Sequence, residues 1–514
     1  MMNNHFRCMA LRGLSLFTAA ALLTACAASQ AAAPAASEST TDEAVTFMAP
    51  YLNVEAFIDK VHSIYPEVNI EIVPYSGDNT TSCIQNMIEA HDLPDICTVT
   101  VYNPMTDDMS DQLIDLAGYD FTDNYIESRL QDVTDNGAIY LLPSVYNCYG
   151  ITYNKTLLQQ NGWAVPTSFA ELEQLAEKAE ATGVALCLPQ SQYPGYGFQY
   201  MCNIADAGFL GTLDGKRWQK DYLSGKANVS GTPGMMQAMA YIQKWRDIGM
   251  LNGDGDPTSD EVTRQRMING DALFLLGSTN GIVEADGTRD KFGLMPYLSE
   301  DGSQNVFVLS VNRYFGLNKR LEQNPQKLED ALKVMRVLST VEGTTALYPE
   351  TKVKSSLMPF KNAKANDTYY TDIADALNFG STAPFIYSGW ENTIVTTGNK
   401  MLDFMRGDAT IDEVIAQLDA DQDKVVNNTP DLITTAAEDI PQEDCARLVG
   451  RCFAEATGSA LALVSLGTWI SGNPTEQNHY GVSGKLYAKG LTDYDLSVIL
   501  PTGWNRTIQT VTLT

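Results

Sequence analysis

Chemistry on a protein needs nucleophiles, bases, metal ligands or flat faces, and this chain is poor in the first three. Its four histidines, His5, His62, His91 and His479, are too few and too scattered for the His/Asp/Asn cluster of a two-metal phosphoesterase. His62 reads more simply as a helix residue beside Tyr65. Neither a Gly-x-Ser-x-Gly elbow nor a Walker loop occurs, and 63 acidic residues leave room for a glycosidase pair without singling one out. Asn252-Gly253-Asp254-Gly255-Asp256, with Asp260 and Glu261 beyond, gathers carboxylates of the kind that hold calcium. Counted from Asp254, however, Thr258 stands at the third ligand position and Ser259 where the loop needs glycine, so the run reads as a solvated acidic turn. What remains is the chemistry of flat faces. Tyr193, Tyr196, Phe198 and Tyr200 surround Gly195 and Gly197, a pattern open to two readings: a rigid turn core, or a platform offering rings to a ligand.

Alternating elements must position these residues. Ala44 to Ala49 is a short strand, Val54 to Ile64 repeats apolar residues at helical spacing, and Val68 to Val73 alternates as a second strand. Ile84, Met87 and Ile88 mark another helix, and Asp95 to Val99 a third strand, which together predict a βαβ sheet with right-handed crossovers. Such a sheet binds ligands outside the carboxyl ends of its strands, the edge occupied by Tyr51, the loop from Tyr75 to Thr80 that holds Asp78, and Thr100 to Asn103. The extended run from Ala138 to Tyr149 breaks and resumes through Gly150-Ile151-Thr152-Tyr153-Asn154-Lys155, marking a crossing from one lobe to another. Beyond it, Ser168 with Glu171 forms a capping-box pattern for a helix to Thr182, and Val184 to Leu188 is a strand. Met235 to Ile248 is a helix whose Trp245 reads as core, and Gly270 to Ser278 a buried strand ending in Gly277-Ser278-Thr279-Asn280, where amides and hydroxyls would meet a ligand. Strands at Phe292 to Pro296, Val306 to Leu309 and Arg313 to Leu317 follow, then helices at Leu328 to Leu338, Thr393 to Met405 and Ile411 to Leu418. A polar, acid-rich stretch from Asp421 to Glu438 reads as a linker. After it come a helix from Gln442 to Thr457, a strand from Ala460 to Leu466, and strand signals near Leu496 to Leu500 and Thr507 to Leu513.

At 514 residues the chain is expected to form two or three domains, and 44% apolar with 19% charged residues describes an ordered body. The formal net charge of -29 argues against nucleic acid as a partner. Arg7 and Arg12 precede the apolar run from Leu14 to Leu23, too short to span a bilayer and suited to a secretory signal. That run ends in Leu23-Thr24-Ala25-Cys26, which resembles the lipobox of bacterial lipoproteins. The resemblance implies cleavage before Cys26, a palmitate-bearing diacylglycerol anchor on it, and a tether from Ala27 to Thr41. The protein is then expected at the extracytoplasmic face of the cell membrane. Besides Cys26, seven cysteines remain after the signal, Cys83, Cys97, Cys148, Cys187, Cys202, Cys445 and Cys452, without a zinc or disulfide framework. Cys187/Cys202 and Cys445/Cys452 are local pairing candidates, and burial as small hydrophobes is the commoner fate.

The run Tyr65-Pro66-Glu67-Val68, then Leu93-Pro94-Asp95-Ile96, Gly150 to Lys155 with Gly162 and Pro166-Thr167-Ser168-Phe169-Ala170-Glu171-Leu172, and Met267-Ile268-Asn269-Gly270-Asp271-Ala272 resemble the bacterial extracellular solute-binding proteins of ABC importers, sugar binders among them. The resemblance covers Val45 to Asp419 and departs where His91-Asp92 precedes Leu93-Pro94-Asp95 in place of the family's glycine. It implies an α/β, two-lobed periplasmic-binding-protein-like fold of type II, a ligand in the cleft, hinge closure and no enzymatic activity or cofactor. Trp218, Trp245, Tyr387 and Trp390 are then possible sugar-stacking residues. The tail, through Val449 to Thr457, Gly490-Leu491-Thr492-Asp493-Tyr494-Asp495-Leu496 and Val498 to Asn505, resembles part of the C-terminal domain of bacterial 5'-nucleotidases. Leu466-Gly467-Thr468-Trp469-Ile470 replaces the motif that supplies that family's nucleotide-holding arginine.

The expected organisation is a signal at 1–25, a tether at 26–43, a first lobe from 44–150 and 271–312, a second from 151–270 and 313–420, a linker at 421–438 and a partial α+β domain at 439–514. The expected ligand residues are Tyr51, Asp78, Asn103, Tyr196, Tyr200, Asn280, Tyr387 and Trp390, with Glu391 as a further acid, and the metal set is empty. The expected function is capture of a sugar or oligosaccharide and delivery to the membrane subunits of an ABC importer. The alternatives are a nucleotide-directed hydrolase or its remnant, and a surface protein with an idle cleft. Mass spectrometry of the mature N-terminal peptide is expected to find Cys26 carrying diacylglycerol, and an unmodified Cys26 would remove the anchor.

Overall fold

The structure, a computed structural model, describes residues 43–51, 53–73, 80–104, 107–252, 255–277, 291–350, 353, 356–363, 373, 376–377, 381–385, 390, 393–426, 432–464, 482, 484–492 and 495. Val45 and Phe47 of β1 (Val45–Phe47) are fully buried, and the stripe of α1 (Glu55–Ile64) puts Phe57 and Val61 against them. The chain returns as β2 (Ile70–Ile72), parallel to β1, then passes through α2 (Thr80–Glu89) to β3 (Ile96–Val99), parallel on the other side. A short helix, α3 (Glu127–Gln131), leads to the hairpin β4 (Thr134–Asp135) and β5 (Ala138–Ile139). Its two-residue turn, Asn136-Gly137, has φ of 49° and 90°, the left-handed pair that lets a tight hairpin match strand twist.

β6 (Leu142–Pro143) belongs to the first sheet, but β7 (Tyr146–Tyr149) leaves it and β8 (Ile151–Asn154) enters another, so the crossing falls at Gly150. Asn154 caps α4 (Lys155–Asn161), its side chain accepting from the amide of Leu157 at 3.0 Å, and Gly162 ends the helix at φ 67°. Ser168 caps α5 (Phe169–Thr182), although the reciprocal bond of the expected box goes one residue further back, from the Thr167 amide to Glu171 Oε2 at 2.8 Å. β9 (Ala185–Pro189), α6 (Pro194–Ala205), α7 (Leu213–Leu223), α8 (Pro233–Asp247), α9 (Asp260–Asn269) and β10 (Ala272–Leu276) complete a second body with β11 (Phe292–Met295). β12 (Val306–Val311) then carries the chain back to β13 (Tyr314–Leu317) in the first sheet, followed by α10 (Pro325–Leu338) and α11 (Val341–Leu347). β14 (Ser381–Pro384) pairs with β12, and α12 (Ile394–Arg406) and α13 (Ile411–Val426) pack on the second body.

Among the described residues, three sheets have three or more strands, ordered β2-β1-β3-β13-β6, β11-β8-β10-β9 and β14-β12-β7. The expected lobe boundaries therefore need correction. Strands β10 (Ala272–Leu276) and β11 (Phe292–Met295) belong to the second lobe, where β10 lies between β8 and β9 with all five residues buried. Residues 314–347 belong to the first, where β13 pairs antiparallel with β3. An all-apolar run such as Ala272–Leu276 suits the middle of either sheet, and only its long-range pairing decides which. The residue-193 segment is a helix and not a turn. Pro194 opens α6, and Gly197 and Gly398 let α6 and α12 touch, since a Cβ at Gly197 would stand 2.6 Å from the Gly398 carbonyl oxygen.

The cysteines proposed for local pairing are free; of the seven described, all but the exposed Cys452 are buried, and burial pushes the Cys97 thiol up to about 12. The expected linker also changes. Asp421 is fully buried inside α13, taking hydrogen bonds from Thr396 and Thr397 at 2.6 and 2.7 Å. β15 (Leu432–Thr435) pairs with β16 (Gly490–Thr492), which also frames α14 (Gln442–Thr457). The strand expected from Ala460 is not formed over 461–464, where Leu461 and Leu463 are exposed. The expected strands beyond Leu496 lie outside the described residues. This C-terminal unit rests on α2 through Lys485 with Asp92 at 2.8 Å and Lys489 with Glu89 at 2.7 Å.

Gly150 has a steric role at the crossing, because a Cβ there would stand 2.4 Å from the Met295 carbonyl oxygen. Gly150→Ala is expected to cost about 1–3 kcal/mol in urea unfolding, since a backbone atom of β11 must give way. An unchanged midpoint would show that the strand pair relaxes freely.

Candidate functional site

The carboxyl ends of the first lobe's strands gather tyrosines. Tyr51, just past β1, meets Tyr348 edge-on with centroids 5.6 Å apart, and Tyr348 is hydrogen-bonded to Ser144 at 2.7 Å. The Arg313 amide donates to the same Ser144 oxygen at 3.1 Å, tying β13 to the end of β6. Burial raises the Tyr348 phenol, which the Ser144 bond and the Arg313 charge oppose. Past β3, Tyr102 lies 5.8 Å from Tyr314, and burial together with Asp107 and Asp135 pushes its phenol upward. Asn103 donates its amide to Asp107 Oδ2 at 2.8 Å, so this turn is held by its own acid.

Between the lobes, Tyr149 at the end of β7 packs at 4.8 Å on Phe385 just past β14, and the Phe385 amide donates to the Leu309 carbonyl of β12 at 3.0 Å. This aromatic pair therefore sits on the crossing sheet itself. Ser356 and Asn147 are linked by a buried hydrogen bond of 3.1 Å beside it.

The second lobe contributes a file of rings. Tyr193, Tyr196 and Tyr200 follow one face of α6 with centroids 6.3 and 6.2 Å apart, passing from exposed Tyr193 to fully buried Tyr200. The Tyr196 hydroxyl donates to Asp260 Oδ2 at 2.8 Å. Asp260 opens α9, and its own amide donates to Gln192 Oε1 at 3.1 Å. Burial raises the Asp260 carboxyl, which the Tyr196 bond and the Arg264 charge partly offset. Gly277 closes the neighbouring strand at φ 133°, where a Cβ would stand 2.1 Å from Gln190 Oε1, so only glycine lets that amide lie across the strand ends.

Of the residues expected to bind ligand, Tyr51 and Asn103 follow strands β1 and β3 of the first lobe, and Tyr196 lies in the first turn of α6 in the second. Asp78, Asn280, Tyr387 and Glu391 lie outside the described residues. Tyr200 and Trp390 are corrections. The Tyr200 hydroxyl lies 2.8 and 2.9 Å from the Gln190 and Leu276 carbonyls, so it pins two strand ends from within the core. Trp390 is 1% exposed, its ring enclosed by Phe198, Trp218 and Tyr222. Trp218 and Trp245 are buried in the same lobe, leaving no face for a sugar.

The acidic turn satisfies itself locally, with Asp256 Oδ1 accepting from the Thr258 amide and hydroxyl at 2.8 and 2.7 Å, and no metal-holding group occurs among the described residues. His62 Nε2 lies 2.9 Å from the Val68 carbonyl, a structural contact. Residues that the sequence reading passed over are Phe385, Tyr348 and, as a site residue, Asp260. The only signal for Asp260 was its place at a helix start that feeds a buried strand. A separate groove of about 1070 Å³ runs along α14 and is lined by neither lobe. Flat rings, one buried carboxylate and side-chain amides thus lie near the strand ends of the second lobe, a set suited to holding a polar molecule.

Residues 54–348 match the family described as bacterial extracellular solute-binding protein. The maltodextrin-binding protein MdxE of Bacillus subtilis (strain 168) is 26% identical over 185 residues, which is 34% of this chain; the match spans 40% of the length of that curated relative. Among solved structures, a family 1 extracellular solute-binding protein from Bifidobacterium longum subsp. infantis aligns with a TM-score of 0.58 at 16% identity, covering 74% of this chain and 98% of the other. A sugar transporter from Bacillus licheniformis in complex with stachyose aligns with a TM-score of 0.51 at 16% identity, covering 74% and 100%. Both likenesses are of fold.

The two ends of the tyrosine file should behave differently. Tyr200→Phe removes the one buried hydroxyl proton shared between the Gln190 and Leu276 carbonyls, the second of which keeps the Gln190 amide, and is expected to lose about 1–2 kcal/mol in chemical unfolding. Tyr193→Ala, at an exposed position, is expected to stay within about 0.5 kcal/mol of the parent. Equal losses would contradict the division between scaffold and surface.

Proposed function

The chain belongs to the family of bacterial extracellular solute-binding proteins, and from that premise we propose that it captures a sugar or oligosaccharide between its lobes and presents it to the membrane subunits of an ABC importer. The observation that supports this reading is that each lobe and the crossing sheet carries its own ring pair: Tyr51 with Tyr348, Tyr149 with Phe385, and Tyr193 with Tyr196 at the start of α6. Such rings stack on the apolar faces of a sugar, while Asn103, Gln192 and Asp260 supply polar groups for its hydroxyls. Asp78, Asn280 and Tyr387 belong to the same proposed site. Hinge closure then exchanges the solute's hydration shell for protein groups, and the closed shape is the one a permease accepts.

That maltodextrin and stachyose are named for the relative and the structural neighbour supports a saccharide over other polar solutes. The proposal places the protein at the extracytoplasmic membrane face, held through lipid on Cys26. No helix among the described residues is long and apolar enough to cross a membrane. In the same reading residues 439–514 are a non-catalytic, 5'-nucleotidase-like remnant carried on the first lobe.

Thermal melting with maltotriose, maltotetraose, raffinose and stachyose tests the reading. A saccharide present at 100 times its Kd is expected to add about 2.7 kcal/mol to stability. Small-angle scattering on the same mixture is expected to show a smaller radius of gyration. A cleft that responds to no saccharide by either measure would favour the surface-protein alternative.

A further inference from the structure

Asp260 is positioned by topology at the ligand edge of the second lobe. Helix α9 feeds β10 at its amino end, so the first residue of the helix stands at the opposite edge, beside the carboxyl end of β9. There it is 8% exposed, with Oδ2 taken by the Tyr196 hydroxyl, the backbone amide given to Gln192 and the backbone carbonyl taking Gln190 Nε2 at 3.4 Å. Oδ1, by contrast, has no hydrogen-bond partner. The amides of the helix start do not supply one, because Val262 donates to Ser259 Oγ and Thr263 to the Ser259 carbonyl. Arg264, one turn on, is paired with Glu261. A carboxylate oxygen withdrawn from water and left unmet is costly, and such atoms in native sites call for an explanation.

We propose that Asp260 Oδ1 is the acceptor for a hydroxyl of the bound saccharide, and that its charge makes the cleft select uncharged saccharides over uronates and sugar phosphates. This rests on the saccharide reading above and adds a discrimination to it. A neutral hydroxyl donates into a charge-assisted bond, with Tyr193 and Tyr196 beside it to receive the ring. An anionic sugar would instead bring like charge to a partly desolvated acid, within a protein of net charge -29. The arrangement also fixes the direction of the Tyr196 proton, which must point at Oδ2 and so leaves Oδ1 as the acceptor.

Calorimetry and thermal melting of the full mature chain test this, with maltotriose, maltotetraose, raffinose and stachyose as neutral probes and trigalacturonic acid as the anionic one. The parent is expected to respond to at least one neutral probe and not to trigalacturonate. Asp260→Asn and Asp260→Ser are expected to bind that neutral probe about 10- to 100-fold more weakly and to narrow the gap between the two classes. Glu177→Gln, at an exposed position on α5 outside the site, serves as the control and is expected to match the parent. Far-UV circular dichroism and the melting temperature without sugar verify folding of each variant, and two replacements guard against one misfolding. Parent-like affinity in the Asp260 variants, or equal loss for neutral and anionic probes, would overturn the proposal alone. So would a melting shift produced by calcium without sugar, which would make Oδ1 a cation ligand. A parent that answers to no probe would overturn the saccharide reading, and this inference with it.

Discussion

The backbone ladder of the crossing strands is the constraint on which the rest depends. β7 takes the chain from the first sheet to the second and β12 brings it back, and the two are paired antiparallel from Tyr146 opposite Val311 to Tyr149 opposite Val308. Tyr146, Cys148, Phe307 and Leu309 around them are buried, so these amides and carbonyls have to find each other. The ladder stops at Gly150 on one strand and before Tyr314 on the other, and the Tyr149–Phe385 ring pair lies at its end.

On each side of the hinge the aromatic residues divide between support and reception. In the second lobe Trp390, Trp218, Tyr222 and Phe198 interlock beneath α6, and the glycine contact between α6 and α12 brings that helix close enough for them to do so. Tyr200 joins this support by holding the ends of β9 and β10 together. The outer part of the same helix face, Tyr193 and Tyr196, is left toward the cleft edge. One helix thus serves core and site at once because its residues three and four apart share a face.

Charge is arranged with a similar economy. Acids outnumber Lys and Arg 63 to 34, yet cations stand where segments far apart in sequence must meet. Lys327 joins Asp95 and Glu43, Lys333 joins Glu67 and Asp330, and Lys485 and Lys489 hold the C-terminal unit on α2. These pairs are mostly at the surface, where each contributes little to stability, and their value lies in fixing which acidic surfaces adjoin. The unit they hold has a small core of Cys445, Ala446, Val449, Val482, Leu486 and Leu491, which suits an appendage supported by its neighbour.

Local pattern was enough for much of this. The amphipathic stripe of α1, the Ser168 helix start, the βαβ alternation and the crossing at Gly150 could all be read from residue types and spacing, because each depends on neighbours a few residues away. The same reading placed Tyr51 and Asn103 past the ends of β1 and β3, since topology follows from element order. Which lobe owns β10 and β13 was not legible, because a buried apolar strand looks alike in either sheet until its partners far away in the chain are known. Nor could the sequence separate Tyr196 from Tyr200, four residues apart on one helix face, or show that a carboxylate at residue 260 would meet that tyrosine. Side-chain identity determined what could bind; burial and cross-chain contact, which exist only once the helices and sheets are packed, decided which rings became core and which stayed available.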